Sequence, residues 1–272
     1  MACDHHCESC ASKGSCDSKS LKAAANAHSA VKRVIAVMSG KGGVGKSLVT
    51  ELLAVAAAKR GLKVAVLDAD ITGPSIPTAF GVTERASADG ENNILPSKSP
   101  CGISLMSLNL LLDNPQDPVV WRGPVIAGVV KQFWSDVAWG DIDIMFVDMP
   151  PGTGDVPLTV FQSLPVDAAV VVTTPQDLVS LIVEKAVRMA GMMNIPVAGL
   201  VENMATFKCP DCGKVHRIFG EGGAAKLAAA HGIAATAELP IDPAVAALVD
   251  KGEIESAETA ALDRVLDAVL SK

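Results

Sequence analysis

Apolar runs of strand length recur at residues 33–38, 63–67, 103–108, 143–147, 168–173, 197–201 and 235–239, and most intervals between them carry apolar residues at helical spacing. The clearest helical intervals are 47–60, rich in Leu and Ala and closed by Gly61, 124–139 with Trp134 and Trp139, and 255–270, where an apolar stripe faces an acidic one. Strands alternating with helices in this way predict an α/β fold, a mostly parallel sheet with helices on both faces. Residues 81–102 are polar and turn-rich and predict a surface excursion with short strands. A cysteine-rich segment and an Ala/Ser/Lys linker, residues 1–30, precede a single domain expected over 31–272.

Between the first strand and the first helix lies Gly40-Lys-Gly-Gly-Val-Gly-Lys-Ser47, which fills the phosphate-loop template G-x-x-x-x-G-K-[ST] in the strand–loop–helix setting that the motif requires. Gly40, Gly42, Gly43, Val44 and Gly45 bring backbone N–H groups around an anion, and the following helix points its positive end at the same place. Lys46 reaches the β- and γ-phosphates, and the Ser47 hydroxyl is a ligand for Mg²⁺. Strand 63–67 delivers Asp68 and Asp70 at its carboxyl end, where open α/β sheets keep their sites. Asp70, one step further into the loop, is the candidate to orient an attacking water. Strand 143–147 ends in Asp148, a Walker B position holding the Mg²⁺ hydration shell, and Gly152 beyond it is expected to donate its N–H to a γ-phosphate.

Composition narrows the setting. Of 272 residues 49% are hydrophobic, enough for one large core, with a mean hydropathy of +0.35. No apolar run approaches the roughly 20 residues that span a bilayer, and the polar first 20 residues do not resemble a signal peptide, so a cytoplasmic protein without a membrane anchor is expected. A net charge of −7 argues against a broad nucleic-acid surface. Seven cysteines in a reducing compartment read as metal ligands or reactive thiols rather than disulfides. Four lie in the first 16 residues (Cys3, Cys7, Cys10, Cys16), two form Cys209-Pro-Asp-Cys212, and Cys101 stands alone.

These segments together resemble the Mrp (ApbC) family of P-loop ATPases, relatives of the eukaryotic cytosolic iron–sulfur scaffold ATPases, within the wider group that includes MinD, ParA and the nitrogenase iron protein. The matching stretches are 40–47, Asp68-Ala-Asp-Ile-Thr-Gly-Pro-Ser75, Trp121-Arg-Gly-Pro124, Asp148-Met-Pro-Pro-Gly-Thr-Gly-Asp155, Glu202-Asn-Met204, Cys209-Pro-Asp-Cys212 and Leu239-Pro-Ile-Asp-Pro243. The resemblance implies a homodimer in which Lys41 reaches the partner's nucleotide, Asn203 recognises adenine and Asp70 positions water. The chain departs from the family at Thr72 and Ala205-Thr206, where a tyrosine-bearing pattern is expected.

A Cys-x-x-Cys supplies two thiolates, whereas tetrahedral zinc or a four-iron cluster takes four. Pairs of Cys209 and Cys212 meeting across a two-fold axis complete the set, and the resemblance identifies the centre as a bridging [4Fe–4S] cluster. Zinc stays open, because the spacing to His216 also suits it. Cys3, Cys7, Cys10 and Cys16 lie close enough to wrap a second, ferredoxin-like cluster, with zinc or a disordered reactive tail as the alternatives. The implied function is an ATP- and Mg²⁺-dependent carrier or scaffold that takes clusters from donor proteins and passes them to apo-proteins. Two other readings use the same fold. A positioning or partitioning ATPase calls for basic membrane- or DNA-binding elements, which the acidic 255–270 stretch does not supply. An ATP-driven electron-transfer protein of the nitrogenase kind draws its cluster ligands from widely separated positions.

Overall fold

The computed structural model describes residues 22–71, 73–90, 93–114 and 123–271. In chain order the elements are β1 (Ser29–Val31), β2 (Val34–Ser39), α1 (Lys46–Lys59), β3 (Val64–Asp68), α2 (Ile76–Ala79), β4 (Ser87–Ala88), β5 (Ile94–Leu95), β6 (Ser97–Lys98), β7 (Ser104–Met106) and α3 (Gly123–Ser135). They continue as β8 (Gly140–Ile142), β9 (Ile144–Asp148), α4 (Asp155–Ser163), β10 (Ala168–Thr173), α5 (Asp177–Met192), β11 (Val197–Glu202), β12 (Phe207–Lys208), β13 (Val215–His216), α6 (Ala224–Ala230), β14 (Ala235–Glu238), α7 (Pro243–Lys251) and α8 (Asp263–Leu270).

The main sheet runs β14-β11-β10-β2-β9-β3-β7-β6, and every pairing is parallel except the edge strand β6 on β7. Strand side chains alternate between two cores because successive Cβ atoms point to opposite faces. Val34, Ala36 and Met38 of β2 pack under α3, α4, α5 and α6, while Ile35 and Val37 pack under α1 and α8. Burial on both faces accounts for the continuous apolar runs that made these strands legible. Register aligns their ends: Val37 and Asp68 both lie opposite Asp148, Val172 lies opposite Ser39, and Thr173 opposite Glu202. The carboxyl ends of five adjacent strands therefore form one rim, the position at which open α/β sheets bind ligands.

Two expected helices are shorter than their periodicity. The 255–270 stretch is a pair of 3₁₀ turns, Ile254–Ser256 and Ala260–Leu262, followed by α8. Ala257 between them is extended, and its carbonyl accepts from Lys59 Nζ at 2.6 Å instead of from the next helical turn. The turn lets Ile254, Ala257 and Leu262 all reach the core. Helix 124–139 stops at Ser135 because Ala138 N–H and the Asp136 carbonyl pair with Ile94 in a short parallel bridge. Residues 81–102 carry β4, β5 and β6, the excursion expected. Contacts of the domain begin ahead of Val31: β1 pairs with β8, and Ala23 is held by Ser163 and by the Trp134 indole. Among the described residues no helix is long and apolar enough to cross a membrane.

Candidate functional site

The phosphate loop leaves β2 at the centre of the rim and enters α1 through Gly45, whose φ of 81° is left-handed. A Cβ there would collide with Asn203 Nδ2, so glycine is required on both conformational and steric grounds. Gly40 sits hard against Ile182 of α5, Gly42 and Gly43 are exposed at the tip, and Val44 is buried below.

Lys46 is almost fully buried, with Nζ 2.7 Å from Asp148 Oδ2 and 3.6 Å from Asp70 Oδ2. Asp148 also accepts from the Ser47 hydroxyl at 2.6 Å and, through its other oxygen, from Thr50 Oγ1 at 2.7 Å. The side chains that the sequence assigns to triphosphate and metal thus converge. Ser47, Asp148 and Asp70 are hard oxygen donors with a cation among them, a set that suits Mg²⁺ held by the Ser47 hydroxyl and, through water, by Asp148.

Asp68 lies deeper, accepting from Asp70 N–H at 3.1 Å and from the Ser107 hydroxyl at 2.9 Å. Burial, and then the charge of Asp148, push its pKa up to about 8. Glu51, one turn beyond Ser47 on α1, is also buried, and burial followed by Asp148 and Asp68 raises its pKa well above the carboxylate range. Three buried carboxyls and Asp70 therefore share the single ammonium of Lys46, and protonation is how such a group lowers its desolvation cost. Asp68 ordinarily titrates near pH 4, so in the fold it retains a proton that the unfolded chain has lost. Its stabilising contribution is complete below about pH 4 and disappears as pH rises towards 8. Asp68→Asn, which mimics the protonated form, is expected to flatten the fall in urea midpoint between pH 5 and 8; profiles parallel to the wild type would contradict the assignment.

Three expected roles meet a different arrangement. Gly152 N–H donates to the Ser39 carbonyl at 2.9 Å, so donation to a γ-phosphate would require exchanging that bond. Lys41 Nζ is held by Gln176 Oε1 at 2.8 Å within its own chain. Asn203 is buried under the phosphate loop and donates its amide to the Val44 carbonyl at 3.0 Å, which makes it a brace of the loop whatever it offers an adenine ring. Thr50, Glu51, Ser107 and Glu202 were not singled out for roles from the sequence. The signal for the first two is present: Lys46, Ser47, Thr50 and Glu51 are polar positions at i, i+1, i+4 and i+5 of a helix that is apolar from there to Lys59 at its end, and Lys46, Thr50 and Glu51 are buried.

Cys209 and Cys212 sit on a small hairpin, β12–β13, that rises from the same rim beyond β11. Gly213 N–H closes the turn on the Cys209 carbonyl at 2.9 Å. Cys212 is exposed and Cys209 half-buried, and the N–H groups of Cys212 and Asp211 pull the Cys209 thiol below its usual range, favouring the thiolate that binds metals. Val215, Ile218 and Phe219 are exposed around them. His216 pairs with Phe207 across the hairpin, and among the described residues no three His, Cys, Asp or Glu side chains converge into a metal-ligating set. Cys101 is exposed beside Glu255, whose hydrogen bond raises its pKa. Cys3, Cys7, Cys10, Cys16, Thr72 and Trp121-Arg122 lie outside the described residues.

A phosphate loop on a central strand, with aspartates closing the next two strands on one side of it, β9 and β3, defines a P-loop NTPase with a mostly parallel sheet. The sequence model of the ParA family, described as NUBPL iron-transfer P-loop NTPase, matches residues 30–272, and the chain belongs to that family. It is 46% identical over 257 residues to the iron-sulfur cluster carrier protein of Methanocaldococcus jannaschii, covering 92% of this chain and 89% of the relative. The carrier protein of Clostridium perfringens is 44% identical over 265 residues, with 92% and 93% covered. Among solved structures, a nucleotide-binding protein from Archaeoglobus fulgidus in complex with ADP superposes with a TM-score of 0.77 at 45% identity, covering 86% of this chain and 91% of that one. The cell division ATPase MinD of Pyrococcus furiosus shares the fold at a TM-score of 0.63 and 21% identity, covering 88% and 98%.

Proposed function

We propose that this protein is an ATP-hydrolysing carrier of iron–sulfur clusters that acts as a homodimer in the cytoplasm, receiving clusters from donor proteins and delivering them to apo-proteins. The observation that carries the reading is the placement of a complete nucleotide site and a thiolate-favouring Cys-x-x-Cys hairpin on one rim of one sheet. Two features support it over a positioning ATPase: the hairpin itself, and the names of relatives above 40% identity, against about 20% for MinD.

The chain's own residues suggest the sequence of events. A triphosphate in the loop competes with Asp148 and Asp70 for Lys46, drawing Nζ towards the β- and γ-oxygens. Asp148, released from that pair, keeps the Ser47 and Thr50 hydroxyls as donors, and Asp70 becomes free to accept from and orient a water. Bound Mg²⁺, held by Ser47 and the water shell of Asp148, supplies neutralisation of phosphate charge. Lys41 exchanges Gln176 for a phosphate of the partner subunit, so one dimer arrangement is favoured only while the triphosphate is present. A ligand shifts such an equilibrium only by its difference in affinity for the two states, and about 5.5 kcal/mol moves it from 1:99 to 99:1.

The cargo in this reading is a [4Fe–4S] cluster clasped by Cys209 and Cys212 from both subunits, with a second cluster on Cys3, Cys7, Cys10 and Cys16. Anaerobic reconstitution followed by iron and acid-labile sulfide analysis tests it. Equal iron and sulfide near four per dimer at the hairpin is expected, and stoichiometric zinc with no sulfide would overturn it.

A further inference from the structure

The two limbs of the cysteine hairpin are anchored differently. The outgoing limb is sewn to the body by backbone bonds, Ala205 N–H to the Leu239 carbonyl at 2.9 Å and Ile241 N–H to the Thr206 carbonyl at 2.7 Å. The returning limb is tied to β14 only by side chains: Arg217 Nη2 donates to Glu238 Oε2 at 3.0 Å, and beyond Gly220, at φ 105°, and Gly222, at φ 77°, the chain comes to rest on Glu202. Glu202 Oε1 accepts from Gly223 N–H at 3.0 Å and from Ala224 N–H at 3.1 Å. Glu202 is only 2% exposed, and a Cβ on Gly222 would collide with its carboxylate, so this is a close-fitting latch.

The residue after Glu202 is Asn203, whose amide braces the Val44 carbonyl of the phosphate loop. Met204 follows in the left-handed region at φ 58°, a conformation that a residue with a side chain adopts only under strain. That reversal lets Asn203 point under the loop while Ala205 returns to β14. A cavity of about 30 Å³, room for one water, lies beside the latch. Its walls include Glu202, Ala224, Gln176 and Thr174, whose buried hydroxyl has no hydrogen-bond partner. Gln176 is the residue that holds Lys41. The phosphate loop is thus tied through Lys41 to Gln176, which borders the void, and through Val44 to Asn203, the neighbour of Glu202, while Glu202 caps the start of α6, where the returning limb of the cysteine hairpin ends, on the void's other wall.

We propose that Glu202 is a positioning residue that couples occupancy of the phosphate loop to the setting of the Cys209–Cys212 hairpin. Movement of Val44 and Lys41 towards a triphosphate displaces Asn203 and Gln176, the strand end shifts into the adjoining space, and the carboxylate carries Gly223 and Ala224 with it. Gly220 and Gly222, both at positive φ, are the flexible joints through which that shift reaches the hairpin. The proposal deepens the carrier reading and rests on it for its purpose, although the coupling itself is measurable without a cluster.

The test is the alkylation rate of Cys209 and Cys212 by iodoacetamide, read by peptide mass spectrometry on full-length reduced protein, with and without a Mg²⁺-bound non-hydrolysable ATP analogue. In the wild type the analogue is expected to change the rate at least about fivefold, the lower end of ordinary coupling between sites. In Glu202→Ala the change should fall below about twofold with analogue affinity unaltered. Glu202→Gln, whose amide oxygen can still accept both N–H groups, should restore it, which loss of packing alone would not produce. Gly222→Ala, which presses on the carboxylate from the other side, should uncouple as Glu202→Ala does and serves if that variant does not fold. Wild-type behaviour in the two uncoupling variants, failure of Glu202→Gln to restore it, or no analogue effect in the wild type would each overturn the proposal. The carrier reading is judged separately by iron and sulfide content.

Discussion

Lys46→Ala is expected to lower ATP turnover by at least about 10²- to 10³-fold, the range seen when one preorganised donor to a developing anion is removed. The ammonium is almost completely withdrawn from water and stands 2.7 Å from Asp148, so it delivers its charge with little competing solvation. The same geometry predicts a second consequence. Removing Lys46 leaves Asp148 and Asp70 without their cation and takes away the charge that holds down the pKa values of Asp68 and Glu51. Breaking a buried pair from one side costs about 3–5 kcal/mol. The Ser47 and Thr50 hydroxyls still solvate Asp148, which places the loss at the lower end of that range. Phosphate release and thermal melting at pH 7 read the two effects together, and the stability deficit should shrink as the pH falls and the carboxyls take up protons. Turnover within tenfold of the wild type would refute the assignment of the site.

Cys209→Ala should abolish cluster binding at the hairpin. In the proposed bridging centre each subunit would contribute two thiolates, so one substitution would remove two of the four ligands that such a cluster takes. The remaining Cys212 is exposed in the turn of a two-residue strand pair. Iron retained after anaerobic reconstitution should drop by more than about tenfold, measured in a background in which Cys3, Cys7, Cys10 and Cys16 are serine. ATP affinity of the cluster-free variant should match that of the parent, because Cys209 takes no part in the phosphate loop. Undiminished iron and sulfide would place the cargo elsewhere on the chain.

Much of this protein is readable without coordinates because its information is local. Six strands were visible as apolar runs because they are buried on both faces, whereas the edge strand β14 shows only through its buried Ala235 and Ala237, with Thr236 and Glu238 turned outward. The phosphate loop was visible because close approach of backbone to phosphate demands glycine at fixed offsets over eight residues, and Asp68 and Asp148 because each terminates a recognisable strand. Helix 255–270 misled for the complementary reason. Its periodicity reports which residues are buried, and two 3₁₀ turns bury Ile254, Ala257 and Leu262 as well as one helix would, with Lys59 from α1 taking the carbonyl between them.

The sequence by itself determined the chemical inventory: a loop that holds phosphate, carboxylates at strand ends, and thiols in a metal-ligand spacing. Tertiary structure decided how those groups are committed to one another. Thr50 meets Asp148 across 98 positions, Ser107 meets Asp68 across 39, and Asn203 braces Val44 across 159. Gly152 spends its N–H on Ser39, and Glu202 latches the return of the cysteine hairpin. None of these pairings has a sequence period, because hydrogen bonds and buried charges are satisfied by whatever the folded sheet brings within 3 Å, and that proximity exists only once the strands are in register.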